Sequence, residues 1–390
     1  MIKVVHIITR LILGGAQENT LLTVEGLQNL PNYQVFLISG PALGPEGELI
    51  KRARAHQVNL IIIPELRRNI HPLRDLISFI KLYRWLRRLK PAIVHTHSSK
   101  AGIIGRLAAH LSGIKVIIHT IHGLPFHPYQ SGLANWFYIT LERLAAHWST
   151  HLISVADAMT RQALKAGVGK RTQFTTIRSG LEIKRFLAAK SGTEIRRLYN
   201  ITDLEKVIGV VSRLAPLKGY EYLIEITPTI IREFPQTRFL FVGDGILRDK
   251  LRTEALRLGV LDHIIFTGLV EPERIPEFIN AMDILVHPSL REGLARTLPE
   301  ALALKKPVIS FDIDGAREVV IDGETGLLVP PAEVNKLAEA ILTFLREPER
   351  AKQMAENGYQ IVSAQFPAGK MVKDIDSLYQ KLLATNRGIC

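Results

Sequence analysis

The chain has 390 residues, more than one hydrophobic core supports, so its length points to two or three domains, and its composition is that of an ordinary globular protein. A single cysteine, Cys390, excludes an internal disulfide framework and a cysteine-based metal site. The net charge of +13 is uneven: residues 1–190 hold 25 Lys and Arg against 9 Asp and Glu, a net +16, whereas residues 191–390 hold 25 against 28, a net −3.

The chain opens on KVVHIIT, a strand-like run with none of the features of a secretory signal, and no apolar run reaches the ~18 residues of a membrane span. A cytoplasmic protein is expected. LGGAQENT follows, in which Gly14 and Gly15 let a ligand approach the backbone closely before a helix begins. This is neither a dinucleotide fingerprint nor a P-loop. After the strands QVFLISG and NLIIIP comes RRNIHPLRDLISFIKLYRWLRRLK, residues 67–90. Here Leu73, Leu76, Ile77, Ile80, Tyr83 and Leu86 recur at three- and four-residue steps among Arg and Lys, which predicts a basic amphipathic helix. It is either a packed helix with a solvated basic face or a surface for an anionic membrane or an acidic substrate. No zinc-finger, RNP or basic-zipper pattern accompanies it, so a nucleic-acid partner is not expected.

The strands AIVHTH, KVIIHTI, HLISVA and QFTTI complete the first half. Residues 181–206 are polar and without strand character, which predicts a domain boundary. Beyond them, VIGVVSR leads into SRLAPLKG, where Arg213 and Lys218 share one strand-to-helix connection, an arrangement suited to a diphosphate. RFLFVGDG places Gly243 and Gly245 in a tight turn, and HIIFTG and ILVHPS follow. REGLARTLPEALALKKP then sets Glu292 in a loop and Glu300 in the first turn of a helix. Carboxylates there suit the hydroxyls of a sugar, but a solvated loop acid and a helix-dipole partner fit these residues equally well. PVISFD, GLLVPP and a final helix in PAGKMVKDIDSLYQKLL close the chain. Apolar strands alternating with helices predict an α/β fold of two doubly wound, Rossmann-like parallel sheets, with ligands at the C-terminal strand ends. The sequence DID, Asp312 to Asp314, mimics an acidic metal motif, yet no metal is expected there.

In order and spacing, SRLAPLKG, FVGDG, FTGLV, HPSLREGLARTLPEALALKKPVI and GLLVPP resemble the C-terminal domain of retaining glycosyltransferases of family 4, which have the GT-B fold. GGAQ, VHTHSSKAGIIGRLAA, HTIHGLPFH and IRSGLEIKRF are similar to the N-terminal domain of that family, so the resemblance covers essentially the whole chain. It implies domains at 1–185 for the acceptor and 186–365 for the nucleotide sugar, facing a cleft, with 366–390 as a helix returning to the first domain. It further implies a retaining, metal-independent transfer needing no cofactor, from a UDP-linked sugar to a saccharide or lipid-linked acceptor of an envelope polymer. A nucleotide-sugar epimerase and a non-catalytic scaffold of the same fold are the alternatives.

By the same resemblance, His122, Glu292, Arg213 and Lys218 form the catalytic group. Gly14, Gly15, Gly243, Thr267, Leu269, Val270, Gly293, Leu294, Ala295 and Glu300 bind the donor, and His97 and Lys100 line the acceptor side. His95 reads as structural. Two positions depart from the family: Ala295 stands where a glycine is common, which leaves the sugar open, and Ser179 where an asparagine is frequent.

Overall fold

The computed structural model describes residues 1–43 and 47–387, with side chains to residue 385; Cys390 lies outside them. Two compact units result, Met1–Gly180 with Ala368–Cys390, and Leu181–Pro367. The sequence places the boundaries instead at 185/186 and 365/366. The division falls at the start of the stretch 181–206, whose short helices Ile183–Leu187 and Thr193–Leu198 bury Phe186 and Ile195 and belong to the second unit.

The first unit contains β1 (Ile2–Ile8), β2 (Tyr33–Ser39), β3 (Asn59–Ile62), β4 (Ile93–His97), β5 (Val116–Ile121), β6 (His151–Ser154) and β7 (Phe174–Thr176). All are parallel, in the order β3-β2-β1-β4-β5-β6-β7. The second contains β8 (Lys206–Val211), β9 (Thr237–Val242), β10 (Ile264–Phe266), β11 (Ile284–His287), β12 (Val308–Phe311) and β13 (Leu327–Val329), parallel in the order β10-β9-β8-β11-β12-β13. Each strand direction reverses its march at one point, between β1 and β4 and between β8 and β11, and crevices open there beyond the carboxyl ends. The apolar runs of the sequence are thus the thirteen strands found among the described residues; the inner ones are buried on both faces, as parallel strands joined by helices must be, whereas the edge strand β3 is only half-buried.

Alternation along β1 sends Val4 and Ile8 to one face and Val5 and Ile7 to the other. The first face packs against Leu21 and Leu27 of helix Gly15–Gln28 and against Met371, Ile375 and Tyr379 of the last helix, Ala368–Arg387. The second packs against Leu82 and Leu86 of helix Pro72–Leu89 and Ala101 and Ala108 of helix Ser99–Leu111. Helix Pro72–Leu89 corrects part of the sequence reading. Its inward side carries Ser78, Leu82 and Leu86, while Leu73 and Leu76 are 62% and 55% exposed and Ile80 also faces solvent. Among the described residues no helix is long and apolar enough to cross a membrane.

One part of the first core is polar. Register sets His6 beside His95 and His97 beside Thr120, all on the face covered by the last helix. His6, His95 and His97 are buried, as is His119 on the other face. Burial pushes the His6 imidazole down to about 3, and the other three well below the ordinary histidine range. All four are therefore neutral in the folded chain at physiological pH.

That neutrality has a stability consequence with a definite sign. The unfolded chain takes up these protons near pH 6.5, and the folded chain does so only far lower. Stability should be complete above about pH 6.5 and decline as the pH falls toward 3, by about 1.4 kcal/mol per pH unit for each such histidine. Urea unfolding of the first unit's transition at pH 7.5, 6 and 5 reads this; a midpoint that stays constant would contradict it.

Candidate functional site

In the second unit the chemistry gathers where β8 and β11 end. Leu290 donates its backbone N–H to the carbonyl of Leu217 at 2.9 Å, tying the loop after β11 to the loop after β8. Gly219 makes this approach possible: its φ is +74°, and a Cβ there would lie 2.0 Å from the carbonyl oxygen of Pro288. Lys218, next to it, then donates from Nζ to Oε1 of Glu292. His287, the last residue of β11, points Nε2 at the same oxygen from 3.5 Å and anchors Nδ1 at Ser310 Oγ, 3.3 Å away. Burial alone would raise the Glu292 carboxyl, but Lys218 and His287 pull it well below the ordinary carboxylate range. Glu292 is thus an ionised acceptor held beside a cation, partly open to solvent.

The acid pair of DID serves this loop. Asp314 accepts a 2.8 Å hydrogen bond from the backbone N–H of Glu292 and takes a left-handed conformation to do so, with φ +43°. Asp312 is engaged by both sides of the Arg317 guanidinium. Each carboxylate is spent on protein donors, one of them fixing Glu292.

Glu300 lies in the first turn of helix Thr297–Ala303, 7% exposed, with Arg296 Nε 3.5 Å from Oε1. Gly293, Leu294 and Ala295 are buried between the two acids. Gly243 after β9 pairs with Gly268, and its N–H reaches Thr267 Oγ1 at 3.4 Å. A Cβ on Gly243, whose φ is +137°, would meet the carbonyl oxygen of Ser212 at 2.1 Å. Val270 is half-buried and Leu269 exposed. Arg213 sits exposed at the start of the β8 loop.

In the first unit, Gly14 and Gly15 begin helix Gly15–Gln28 after β1, and Gly15 is exposed. His122 follows β5, half-buried, with Nε2 3.1 Å from Nδ1 of His97. His97 itself is buried, so the structure puts it behind His122 and not at the surface. Lys100 is turned toward helix Pro72–Leu89, paired with Asp75 and donating to the carbonyl of Asn69 at 2.5 Å. Sequence reasoning passed over His287 and His6, weighed Asp314 only as part of a metal motif, and passed over Tyr379. The first three have a visible signal, a polar residue inside or just after an apolar strand; Tyr379 has none, being one amphipathic-helix residue among several.

His6, His95 and His97 bring ring nitrogens within 4.8 Å of one another, the spacing of a metal site. Every one of their six nitrogens already has a protein partner: His6 with His97 and Tyr379, His95 with Tyr379 and Thr120, His97 with His6 and His122. The cluster is a hydrogen-bonded chain.

Comparison with known proteins agrees with both units. Residues 14–180 match the glycosyl transferase 4-like domain, and residues 191–361 match glycosyl transferases group 1. The chain is 28% identical over 97% of its length, and 96% of the relative's, to the UDP-Gal:alpha-D-GlcNAc-diphosphoundecaprenol alpha-1,3-galactosyltransferase of Escherichia coli. It is 26% identical to the capsular polysaccharide biosynthesis glycosyltransferase CapM of Staphylococcus aureus, over 84% of this chain and 86% of that one. In fold it is similar to Anabaena HepE, solved with UDP and glucose, with a TM-score of 0.84, 21% identity and coverage of 97% and 100% of the two chains. WaaG, a glycosyltransferase involved in lipopolysaccharide biosynthesis, aligns with a TM-score of 0.75 and 16% identity over 96% and 99%.

The two acids of DID should separate on substitution. Asp314→Ala removes the acceptor that fixes Glu292 and is expected to cost the second unit about 2 kcal/mol, the size of a hydrogen bond to a charged group. Asp312→Ala removes an ion pair on the surface and should leave thermal unfolding nearly unchanged. Calorimetric melting of both variants decides; equal effects would refute the assignment.

Proposed function

The chain belongs to the GT-B glycosyltransferases, and from that premise we propose that it moves a sugar from a UDP-linked donor to a lipid-linked saccharide, with retention at the anomeric carbon and without a metal ion. The Lys218–Glu292 pair carries this reading. A cation and an ionised carboxylate held together, with the exposed Arg213 on the same loop as the cation, match the two ends of a sugar diphosphate. On donor binding, Lys218 exchanges Glu292 for the diphosphate, and both Glu292 oxygens become acceptors for sugar hydroxyls.

The bond from the anomeric carbon to the diphosphate oxygen breaks, its electron pair leaving with the diphosphate. The acceptor hydroxyl bonds to that carbon on the same face, and its proton passes to the departing phosphate. Lys218 and Arg213 stabilise the charge that grows on the leaving group, and two fixed cations there take the part a divalent ion would play. Glu300 holds the ribose hydroxyls. The backbone at Gly243 and from Thr267 through Leu269 to Val270 flanks the base. Gly293, Leu294 and Ala295 offer backbone between the acids, Gly14 and Gly15 approach the phosphates, and His122 contacts the transferred sugar. The relative in Escherichia coli, whose name gives a UDP-sugar and a diphosphoundecaprenol acceptor, supports this choice of donor and acceptor class.

The surface of the first unit supports a lipid-linked acceptor reached from the cytoplasmic side. Leu73 and Leu76 on helix Pro72–Leu89 have counterparts in Leu133 and Trp136, 77% and 64% exposed, on helix Gly132–His147. Both helices pack against Ser99–Leu111, so the two apolar stripes flank one helix. Arg84, Arg87 and Arg88 are exposed on the first of them. Apolar side chains among arginines suit an anionic bilayer, each basic residue adding about 1 kcal/mol near such a surface.

Calorimetric titration with UDP, GDP, ADP and CMP tests the donor site. We expect UDP to bind selectively, and Glu300→Ala and Lys218→Ala each to weaken it by about 1–3 kcal/mol; no binding of any nucleotide would overturn the reading. For the membrane surface, sedimentation should show salt-sensitive binding to anionic vesicles that Leu133→Ser with Trp136→Ser reduces. Equal, salt-insensitive binding to neutral vesicles would count against it.

A further inference from the structure

Behind His122 a chain of polar side chains runs into the core of the first unit. From His122 Nε2 it is 3.1 Å to His97 Nδ1, and from His97 Nε2 3.0 Å to His6 Nδ1. His6 Nε2 lies 3.4 Å from the Tyr379 hydroxyl, which lies 2.6 Å from His95 Nδ1. His95 Nε2 ends the chain at Thr120 Oγ1, 2.7 Å away. Apart from His122, every member is buried.

Such a chain cannot be arranged freely. Desolvation keeps His6, His95 and His97 neutral, and a neutral imidazole has one N–H and one lone pair. Each link therefore needs one donor and one acceptor. Three orders satisfy this, because the Tyr379 hydroxyl either passes the direction on or accepts from both His6 and His95. When it accepts from both, its own hydrogen is left without a partner in a buried place. If the protons point toward Thr120, its hydroxyl accepts from His95, and its own hydrogen is left in a buried place; among the described residues His95 is its only hydrogen-bond partner. An unpaired buried donor costs about 1–3 kcal/mol. If Thr120 donates and Tyr379 passes the direction on, every hydrogen of the chain is paired: Thr120 to His95 Nε2, His95 Nδ1–H to Tyr379, Tyr379 to His6 Nε2, His6 Nδ1–H to His97 Nε2, and His97 Nδ1–H to His122 Nε2.

We propose that this ordered chain fixes His122 as the tautomer protonated on Nδ1, its Nε2 lone pair occupied, so that His122 meets the sugar as a hydrogen-bond donor and not as a base. Tyr379, His6 and His97 are positioning residues that act through His122. The functional part of the statement rests on the assignment of His122 to the sugar; the tautomer does not. A donor at this place is compatible with a reaction in which the acceptor's proton leaves with the phosphate, and it suits a hydroxyl of the transferred sugar.

The test reads the tautomer without catalysis. In the full-length protein labelled with ¹⁵N in its histidine rings, two-bond proton–nitrogen correlation spectra at pH 7.5 report which nitrogen carries each proton, with His122 assigned from the spectrum of His122→Gln. We expect His6, His95, His97 and His122 all protonated on Nδ1. Tyr379→Phe keeps the packed ring but cuts the chain, and should leave His122 a mixture of tautomers. In that variant kcat should fall about tenfold, the size of one misdirected hydrogen bond, with UDP affinity within about twofold of the parent. His122 protonated on Nε2 in the parent, or an unchanged tautomer in Tyr379→Phe, would overturn the proposal, as would stoichiometric metal in the purified protein that His6→Asn removes. Failure of sugar transfer with the expected spectra would instead fault the functional reading alone.

Discussion

A parallel strand can be followed by another only if the chain climbs back along the sheet, and that constraint organises both units. Each return is a helix, so each strand ends on the same edge and each following loop opens there. Functional residues four strands apart in sequence are brought to one edge by this rule alone. Arg213 and Lys218 follow β8, His287 and Glu292 end or follow β11, and Asp312 and Asp314 follow β12. In the first sheet Gly14, His97 and His122 end or follow β1, β4 and β5 in the same way. Reversal of strand order beside β1 and β8 then keeps neighbouring loops apart, and the crevice so formed is what a ligand fills.

Polar groups inside such a frame are expensive, and the two units deal with them differently. In the second, Glu292 keeps its charge because Lys218, His287 and the Asp314-bound backbone surround it. A carboxylate so supported loses little when its cation turns to a ligand, since the loop stays fixed by a separate bond. In the first, the histidines give up charge altogether and are satisfied one by another. Both solutions leave a side chain at the strand edge whose protonation state is set from behind.

Much of this was legible in the sequence, for identifiable reasons. The parallel strands read as apolar runs because helices cover both faces of each sheet, most fully over its inner strands. The motif residues from Arg213 to Glu300 were legible because they lie in the loops that follow strands or, for Glu300, in the first turn of the helix after one. Other features were not. The helices inside the boundary stretch 181–206 went unread because each is short and buries one side chain, Phe186 or Ile195, which carries no periodic signal. The stripe Leu73, Leu76, Ile77, Ile80, Tyr83 and Leu86 was recognised, but periodicity cannot say which part of it faces the sheet; packing chose Leu86, within the stripe, and Leu82, outside it. His97 looked like a surface residue from its place at a strand end, and only register shows it shielded by His122 and His6. The contact between His6 and Tyr379 spans 373 residues, beyond any local pattern.

The last helix adds a question of timing. Met371, Ile375 and Tyr379 complete the first unit's core, yet 187 residues of the second unit are translated before them. At roughly 5–20 residues per second, synthesis of that stretch takes on the order of 10–40 s. Throughout that time the nascent first sheet shows the ribosome's surroundings a face of Val4, Ile8 and Leu37 around bare imidazoles. The second unit, whose segment is continuous, is free to fold as it emerges. The unit whose synthesis begins first is therefore the unit finished last, and its maturation waits on the synthesis of residues 368–387.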